Sequence, residues 1–569
     1  LHLKKLPAVK EFIRNNNINR VGLKSDKATI GIISAGKSWL DTCHALSLLG
    51  IEKGEVQKLG LTTYKLGVVW PIEPEQLIEW ASDLKIIVVV EEKRKLIESQ
   101  VKNILYNVEN KPAVIGEFDL AGQPMFDSHF ALEPIVISTK LGDIIYNETK
   151  NRKISIRLKA LLQERGQESN SVVPPRTPYF CSGCPHNTST KIPDGSRAYA
   201  GIGCHYMAQW MDRETEGFTH MGGEGANWIG EAPFSETDHV FQNIGDGTYN
   251  HSGLMSIRAA VAANVNITYK ILYNDAVAMT GGQSNDGDLT SLDIIKELKS
   301  IGVNEVVLVY DEKEHLNLSQ YRKHVKTYKR EQLNRVQKRL SRVRGVSALV
   351  YVQTCAAEKR RRRKRGTLVD LRQRVFINPE VCEGCGDCGV KSNCVSILPY
   401  ETEFGLKRRI DQSACNKDFS CINGFCPSFV TIENSELKSK SREDIVFPLF
   451  PEPRLPVIKQ TFNIVIAGVG GTGVVTVGAL IAMSAHLEGK GVGVMEMAGL
   501  AQKGGAVHIH CRVSNKLNDI TAVRVAESEV DTLLGCELVV SAGEKTLSLL
   551  RNTKSKVVCA NEAANAGEF

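Results

Sequence analysis

The chain has no internal repeat and no low-complexity tract beyond RRRRKR, residues 360–365, which excludes a repeat architecture and leaves an assembled one. Its first residues, LHLKKLPAVKEF, have neither an initiator Met nor the apolar core of a secretory leader. At the other end the chain stops just after a strand-like stretch, KVVCANEA, so both termini read as cut. Only one long stretch lacks charge: Ile464 to Ala485, twenty-two residues, enough to span a bilayer. Five glycines within it, four of them clustered as GVGGTG behind the strand-like FNIVIA, predict a strand, a Gly loop and a helix instead, so no membrane association is expected. No aromatic platform or groove-reading motif accompanies the basic residues, which argues against nucleic acid as a partner.

What is present begins with size. At 569 residues and 42% hydrophobic composition the chain can bury several cores, so three or four domains are expected and a small binding module is excluded. The net charge of +7 is uneven: residues 322–365 hold seventeen Lys or Arg against two Glu, leaving the rest net acidic. Fifteen cysteines could make a disulfide scaffold, but that solution suits short secreted chains, whereas eleven of these fall in metal-like clusters within a long one. A reducing, cytoplasmic setting is expected.

Residues 28–110 alternate short apolar runs (TIGIIS, LGVVWP, KIIVVVEE) with helix-like stretches, the pattern of parallel strands joined by crossover helices. The fold class is therefore multidomain α/β. The organisation predicts a linker or partial element over 1–27 and an α/β domain over 28–150. SVVPPRTP, residues 171–178, reads as a Pro-rich linker into a second α/β unit over 171–357. A basic linker over 358–374 follows, then a cysteine-rich domain over 375–435 in which metal clusters replace a hydrophobic core. A linker over 436–457, containing FPLFPEPRLPV, leads into an incomplete α/β domain over 458–569.

The chemistry-bearing motifs start at GDGTYNHSG, from Gly245, and LYNDAVAMTGGQ, from Leu272, each placed at the carboxyl end of a predicted strand. Ligands of open parallel sheets sit there, and a diphosphate with its divalent ion needs close backbone approach and hard oxygen ligands. Gly245 and Gly247 allow the approach; Asp246 and Asn274 supply oxygens. GDG alone is an ordinary turn, but the pair is specific. A second set comprises Cys181 and Cys184 in CSGCPHN, Cys204 in GIGCHYM and Cys355 in VQTCAAEK. Four thiolates close either a zinc site or a 4Fe-4S cluster, and spacing does not separate the two. A third is CEGCGDC, Cys382, Cys385 and Cys388, followed by Cys394, Cys415, Cys421 and Cys426 before Pro427. C-x2-C-x2-C with a remote C-P is the wiring of bacterial ferredoxins, which makes Cys426 the fourth ligand of the first cluster. Cys394, Cys415 and Cys421 are then one ligand short of a second cubane, which leaves a three-iron cluster, a borrowed ligand or no cluster. GVGGTG, Gly468 to Gly473, has the setting of a dinucleotide loop, with Glu496 ending a plausible second strand.

The paired GDG and NDAVAMTGG motifs resemble the diphosphate-binding half of thiamine-dependent enzymes. With CxGCPH, the later GC and the distant Cys, they resemble the fused indolepyruvate ferredoxin oxidoreductases of the 2-oxoacid:ferredoxin oxidoreductase family, here truncated at both ends. That resemblance implies thiamine diphosphate held through Mg²⁺ by Asp246, Asn274 and the carbonyl of Ala276, with Thr280 and Gly281 nearby. It also implies 4Fe-4S clusters on the cysteines and a transketolase-C-like fold over 28–150. For EMAGLAQKGGAVHIHCRVS it implies a gamma-type domain in place of an NAD site. His251 becomes a candidate contact to substrate or diphosphate, with a solvent-facing histidine as the alternative; the same holds for His220 and Glu224. The implied activity is oxidative decarboxylation of a 2-oxo acid to an acyl-coenzyme A, with ferredoxin as electron acceptor. A homo-oligomer, and a leading pyrimidine-binding domain that carries the catalytic glutamate, are implied as well. The alternatives are a non-oxidative thiamine-dependent decarboxylase and a subunit coupling ferredoxin to NAD.

Overall fold

The computed structural model describes residues 1–129, 131–164, 176–435, 451–452, 457–458, 460–498, 504–551, 553–561 and 564. The linkers expected over 171–178 and 436–457 lie largely outside these.

The first unit is built on a five-stranded sheet ordered Arg20–Val21, Leu61–Leu66, Ile30–Ala35, Ile86–Val90 and Ala113–Ile115. All neighbours are parallel except the antiparallel edge strand Arg20–Val21. Every residue of IIVVV is buried, because helices cover both faces and leave no polar side for the strands to alternate toward. Pro74–Ala81 and Leu96–Leu105 pack on one face; Gly36–Leu48, Pro134–Thr149 and Arg152–Glu164 pack on the other. Glu73 starts the first of these helices by accepting from the backbone N–H groups of Glu75 and Gln76, with Pro74 in the first turn. The unit exceeds the predicted 28–150 in both directions. Lys5–Asn15 is a helix that buries Ile13, and Arg152–Glu164 places Ile154 and Leu161 in the core. Truncating the nearly inaccessible Leu161 to Ala would cost about 2–5 kcal/mol.

The second unit has seven strands, all parallel, ordered Lys326–Lys329, Glu305–Tyr310, Val346–Val352, Ile267–Tyr273, Val240–Gly245, Arg197–Ala200 and Thr215–Phe218. Its central strands are inaccessible along nearly their whole length. Three adjacent strands, Val240–Gly245, Ile267–Tyr273 and Val346–Val352, therefore release their chains at one edge, into GDG, the NDAVAM loop and TCAA respectively.

The basic run is not a linker. Ala356–Lys364 is an α-helix continuing directly from Cys355. Arg361 and Arg362 pair with Glu358 one turn back, and Arg362 also pairs with Asp275. Carboxylates in reach, not solvent alone, account for this charge concentration.

The cysteine-rich segment has two antiparallel pairs, Arg374–Ile377 with Phe429–Ile432 and Ile397–Thr402 with Gly405–Ile410, and a short helix Asp387–Ser392. Its apolar cluster comprises little beyond Ile377, Ile397 and the cysteines themselves.

The last unit has a mixed sheet ordered Gly491–Ala498, Ala506–Ser514, Thr461–Val469, Thr532–Gly535 and Lys556–Cys559. The long uncharged run divides as its glycines predict, into strand Thr461–Val469 and helix Val474–Leu487. Among the described residues no helix is long and apolar enough to cross a membrane. The strand bearing Glu496 does not adjoin the Gly-loop strand. It pairs antiparallel with Ala506–Ser514, which lies between them, so Glu496 lacks the neighbouring position a dinucleotide site requires.

Candidate functional site

Asp246 sits at the point where strand Val240–Gly245 turns into a helix, and it is buried. One carboxylate oxygen accepts the Gly247 N–H (3.0 Å). The other accepts the N–H groups of Asn274 (3.1 Å) and Asp275 (2.9 Å) and the side-chain amide of Asn285 (3.2 Å). Burial pushes its carboxyl up to about 6, against the lowering effect of those donors. The side-chain carbonyl oxygens of Asn274 and Asn285 are buried there without a hydrogen-bond partner. Orphaned oxygens are costly unless something electropositive completes them. A carboxylate flanked by two uncompensated amide oxygens is a donor set suited to a hard divalent cation, and Mg²⁺ with a diphosphate fits it. Asn285 escaped the sequence reading because it lies eleven residues past Asn274, outside the quoted motif.

Ala276 is buried in the same loop, whereas Thr280 is exposed and donates to Gln283 Oε1 (2.9 Å). Gly281 and Gly282 have φ of 133° and 82°, which bends the loop back so that Gly282 N–H donates to Val277 O (3.0 Å). His251 is exposed, with Nδ1 2.8 Å from Ser252 Oγ. A Cβ on Gly222 would collide with Ser252, so the HMGGEG turn closes on the NHSG turn. There Glu224 is buried and accepts from Gly222 N–H (2.7 Å), while His220 is exposed.

The cysteines of the second set converge. Cys184, Cys204 and Cys355 share one buried cluster with Ala276 and Ala278, and Cys181 and Met279 pack against it. Two further bonds tie this cluster to the carboxylate site. Cys355 N–H donates to Asn274 O (2.9 Å), and Thr248 Oγ1, beside the GDG turn, donates to Ile202 O in the loop preceding Cys204 (3.1 Å). His205, which the sequence reading passed over beside Cys204, lies between them. Its ring is packed under Gly245, where a Cβ would lie 3.2 Å from Cε1. Burial pulls its pKa down to about 4, and its Nε2 is buried without a partner.

Cys382, Cys385, Cys388 and Cys426 line one cavity, together with Cys421. Cys394, Cys415 and Cys421 line an adjoining one, whose wall includes Ser182 and Gly183 from the CSGC turn. None of the fifteen cysteines is joined in a disulfide. Among the described residues no three His, Cys, Asp or Glu converge tightly enough for a single metal ion. The thiols ring cavities instead, as a polynuclear cluster requires.

Three family models match successive stretches of the chain. They are an indolepyruvate oxidoreductase domain over 20–168, the C-terminal binding domain of thiamine pyrophosphate enzymes over 201–326, and pyruvate ferredoxin/flavodoxin oxidoreductase over 463–564. The chain is 26% identical over 454 residues to indolepyruvate oxidoreductase subunit IorA of Thermococcus kodakarensis, covering 73% of this chain and 62% of that one. It is also 37% identical over 75 residues to subunit IorB of Archaeoglobus fulgidus, covering 13% of this chain and 35% of that one. A solved 2-oxoglutarate:ferredoxin oxidoreductase from Magnetococcus marinus aligns at 17% identity and a TM-score of 0.25, over 34% of this chain and 69% of that one.

These matches make the chain similar, stretch by stretch, to thiamine pyrophosphate enzymes and to pyruvate ferredoxin/flavodoxin oxidoreductases. Over its first stretch, and against the IorA relative, the chain is similar to the indolepyruvate oxidoreductases. It spans 62% of the length of the IorA relative.

Proposed function

We propose that this chain carries the thiamine-diphosphate and iron–sulfur part of an enzyme that oxidatively decarboxylates a 2-oxo acid, indolepyruvate or a related aryl or branched-chain acid. Coenzyme A takes the acyl group and ferredoxin takes the electrons. One observation carries the reading: the loop that orients Asn274 beside Asp246 also packs Ala276 and Ala278 against Cys184, Cys204 and Cys355. A cation-binding carboxylate and a ring of thiols in one cleft suit chemistry that releases electrons where a diphosphate is anchored.

In this reading Asp246, the Asn274 side chain and the carbonyl of Ala276 hold Mg²⁺, with Asn285 as a further oxygen donor. Gly245 and Gly247 leave room for the diphosphate, and Thr280 and Gly281 flank it. Cys181, Cys184, Cys204 and Cys355 hold one 4Fe-4S cluster; Cys382, Cys385, Cys388 and Cys426 hold another, in a ferredoxin-like domain. Thiamine diphosphate, when bound, would supply a nucleophilic carbon and an electron sink for loss of CO₂, and the clusters would supply one-electron acceptors. The chain's own residues orient and shield. Buried Ala276 and Ala278 exclude water between the two sites. His205, held neutral by burial, offers an unprotonated or singly protonated ring nitrogen without adding positive charge. Arg361 and Arg362 brace the 274–285 loop through Asp275 and Gly282.

An anaerobic assay of the full-length protein against a panel of 2-oxo acids tests the proposal. It predicts viologen reduction that requires coenzyme A. Decarboxylation without reduction would favour the non-oxidative alternative.

A further inference from the structure

A ferredoxin-type run spaces its ligands C-x2-C-x2-C, and its fourth cysteine serves the opposite cluster. The second run of this chain is Cys415-x2-Asp418-x2-Cys421, with Asp418 where the middle cysteine belongs. Cys394, six residues past Cys388, takes the place of the fourth. An aspartate is a competent iron ligand in principle, so its orientation decides the matter.

The Asp418 carboxylate is committed elsewhere. It accepts from Arg330 Nη1 (2.7 Å) and Nη2 (3.3 Å) and from Gln353 Nε2 (3.0 Å). Arg330 is buried and also pairs with Asp311 (3.2 Å) and Glu331 (3.6 Å); Gln353 follows strand Val346–Val352 of the thiamine-type unit. Lys313 of that unit donates to the Asp418 backbone carbonyl. Gly183 sits against Asp418 at φ +63°, where a Cβ would come within 2.7 Å of the aspartate's own Cβ. Turning the carboxylate into the cysteine cavity would take from a buried guanidinium its shortest and only two-point carboxylate contact and break this contact between units.

We propose that the second ferredoxin-type site offers three protein ligands, Cys394, Cys415 and Cys421, and takes a three-iron cluster. Asp418 serves as the ion-pair key that docks the site onto the thiamine-type unit. The site then lies between the two four-iron positions: Ser182 and Gly183 of the CSGC turn wall it on one side, and Cys421 is shared with the neighbouring cavity on the other. This inference rests on the proposed iron–sulfur reading of the cysteine-rich segment and deepens it.

The test is EPR and iron analysis of the full-length enzyme purified under strict anaerobiosis. An oxidised three-iron cluster is paramagnetic, whereas an oxidised four-iron cluster of this type is diamagnetic. The expected result is about one three-iron spin per chain and roughly eleven irons, from two four-iron clusters and one three-iron cluster. After incubation with Fe²⁺ and reductant, which would refill a damaged cubane, and then reoxidation, which returns a reduced three-iron cluster to its paramagnetic state, the signal should reappear undiminished. In Asp418→Asn, which keeps an acceptor for Arg330, the signal should keep its line shape. A signal that Fe²⁺ abolishes, no three-iron signal beside a full four-iron count, or a line shape altered in Asp418→Asn would overturn the inference and leave the proposed function standing. Absence of iron from all three positions would remove both.

Discussion

Replacing Asp246 with Asn should make the ligand-free protein more stable while abolishing its response to thiamine diphosphate and Mg²⁺. The carboxyl is raised from an ordinary 3.8 to about 6 by burial. The folded chain therefore binds more protons than the unfolded chain between these values, and stability falls as pH rises through that window. Above it, holding the carboxylate ionised without its cation costs the folded state about 3 kcal/mol, at about 1.4 kcal/mol per pKa unit. The Asp246→Asn substitution removes that cost but gives back part of it, because an amide cannot accept from all four donors around the site; a net gain of about 1–2 kcal/mol is expected at pH 7.5. Saturating ligand at about 100 times its dissociation constant should stabilise the natural chain by about 2.7 kcal/mol, or roughly 5–10 °C for a unit of this size. Thermal melts of both proteins, with and without Mg²⁺ and thiamine diphosphate, read both effects. An Asp246→Asn variant that melts lower yet keeps the ligand shift would refute the reasoning.

Cys355→Ala should lower bound iron by about four atoms per chain while leaving thiamine binding intact, whereas Cys43→Ala, outside every cysteine cavity, should change neither; iron and thiochrome assays on the same samples decide. Lys270 is fully buried, burial drives its ammonium well below the ordinary range, and its amine donates to Lys191 O (3.0 Å). Lys270→Met should therefore stabilise the fold at neutral pH by on the order of 1 kcal/mol, read as a higher melting temperature, and a lower one would count against that account. His510 accepts the Val525 N–H at Nδ1 (3.1 Å) and is pulled down to about 3 by burial and nearby cations. The folded state thus binds fewer protons than the unfolded state between about 3 and 6.5, and stability contributed by the neutral ring is lost as pH falls through that window, by about 1.4 kcal/mol per unit. His510→Gln should flatten the acid limb of a denaturation-versus-pH curve by one proton, and an unchanged slope would show that the ring does not titrate there.

Much of the site was legible because its chemistry is local. Gly245, Asp246 and Gly247 are contiguous, and Asn274 follows one crossover later at the end of the next strand, so strand periodicity and residue type placed this carboxylate and amide together. The four cysteines from Cys181 to Cys355 were legible as a set only through resemblance, since nothing in their spacing states that the GIGC loop hydrogen-bonds to Thr248. What escaped depends on long-range partners. Arg360 to Arg365 reads as a solvated run until Glu358 and Asp275 are seen beside it. Asp418 reads as a surface acid until Arg330, eighty-eight residues earlier, is seen to bind it. His205 has no sequence signal beyond its place after Cys204, because its placement depends on packing beneath Gly245. The antiparallel insertion of Ala506–Ser514 beside the Gly loop was hidden for the same reason: local periodicity identifies strands and leaves their pairing open.

Anomalous diffraction from anaerobic crystals, collected across the iron and zinc edges with Mg²⁺ and thiamine diphosphate present, probes the arrangement at the centre of this account. An iron signal enclosed by Cys181, Cys184, Cys204 and Cys355, against the same loop that brings Asn274 and Asp246 to the bound cation, is the result expected. A zinc signal among those four thiols, or a diphosphate bound away from Asp246, would contradict it.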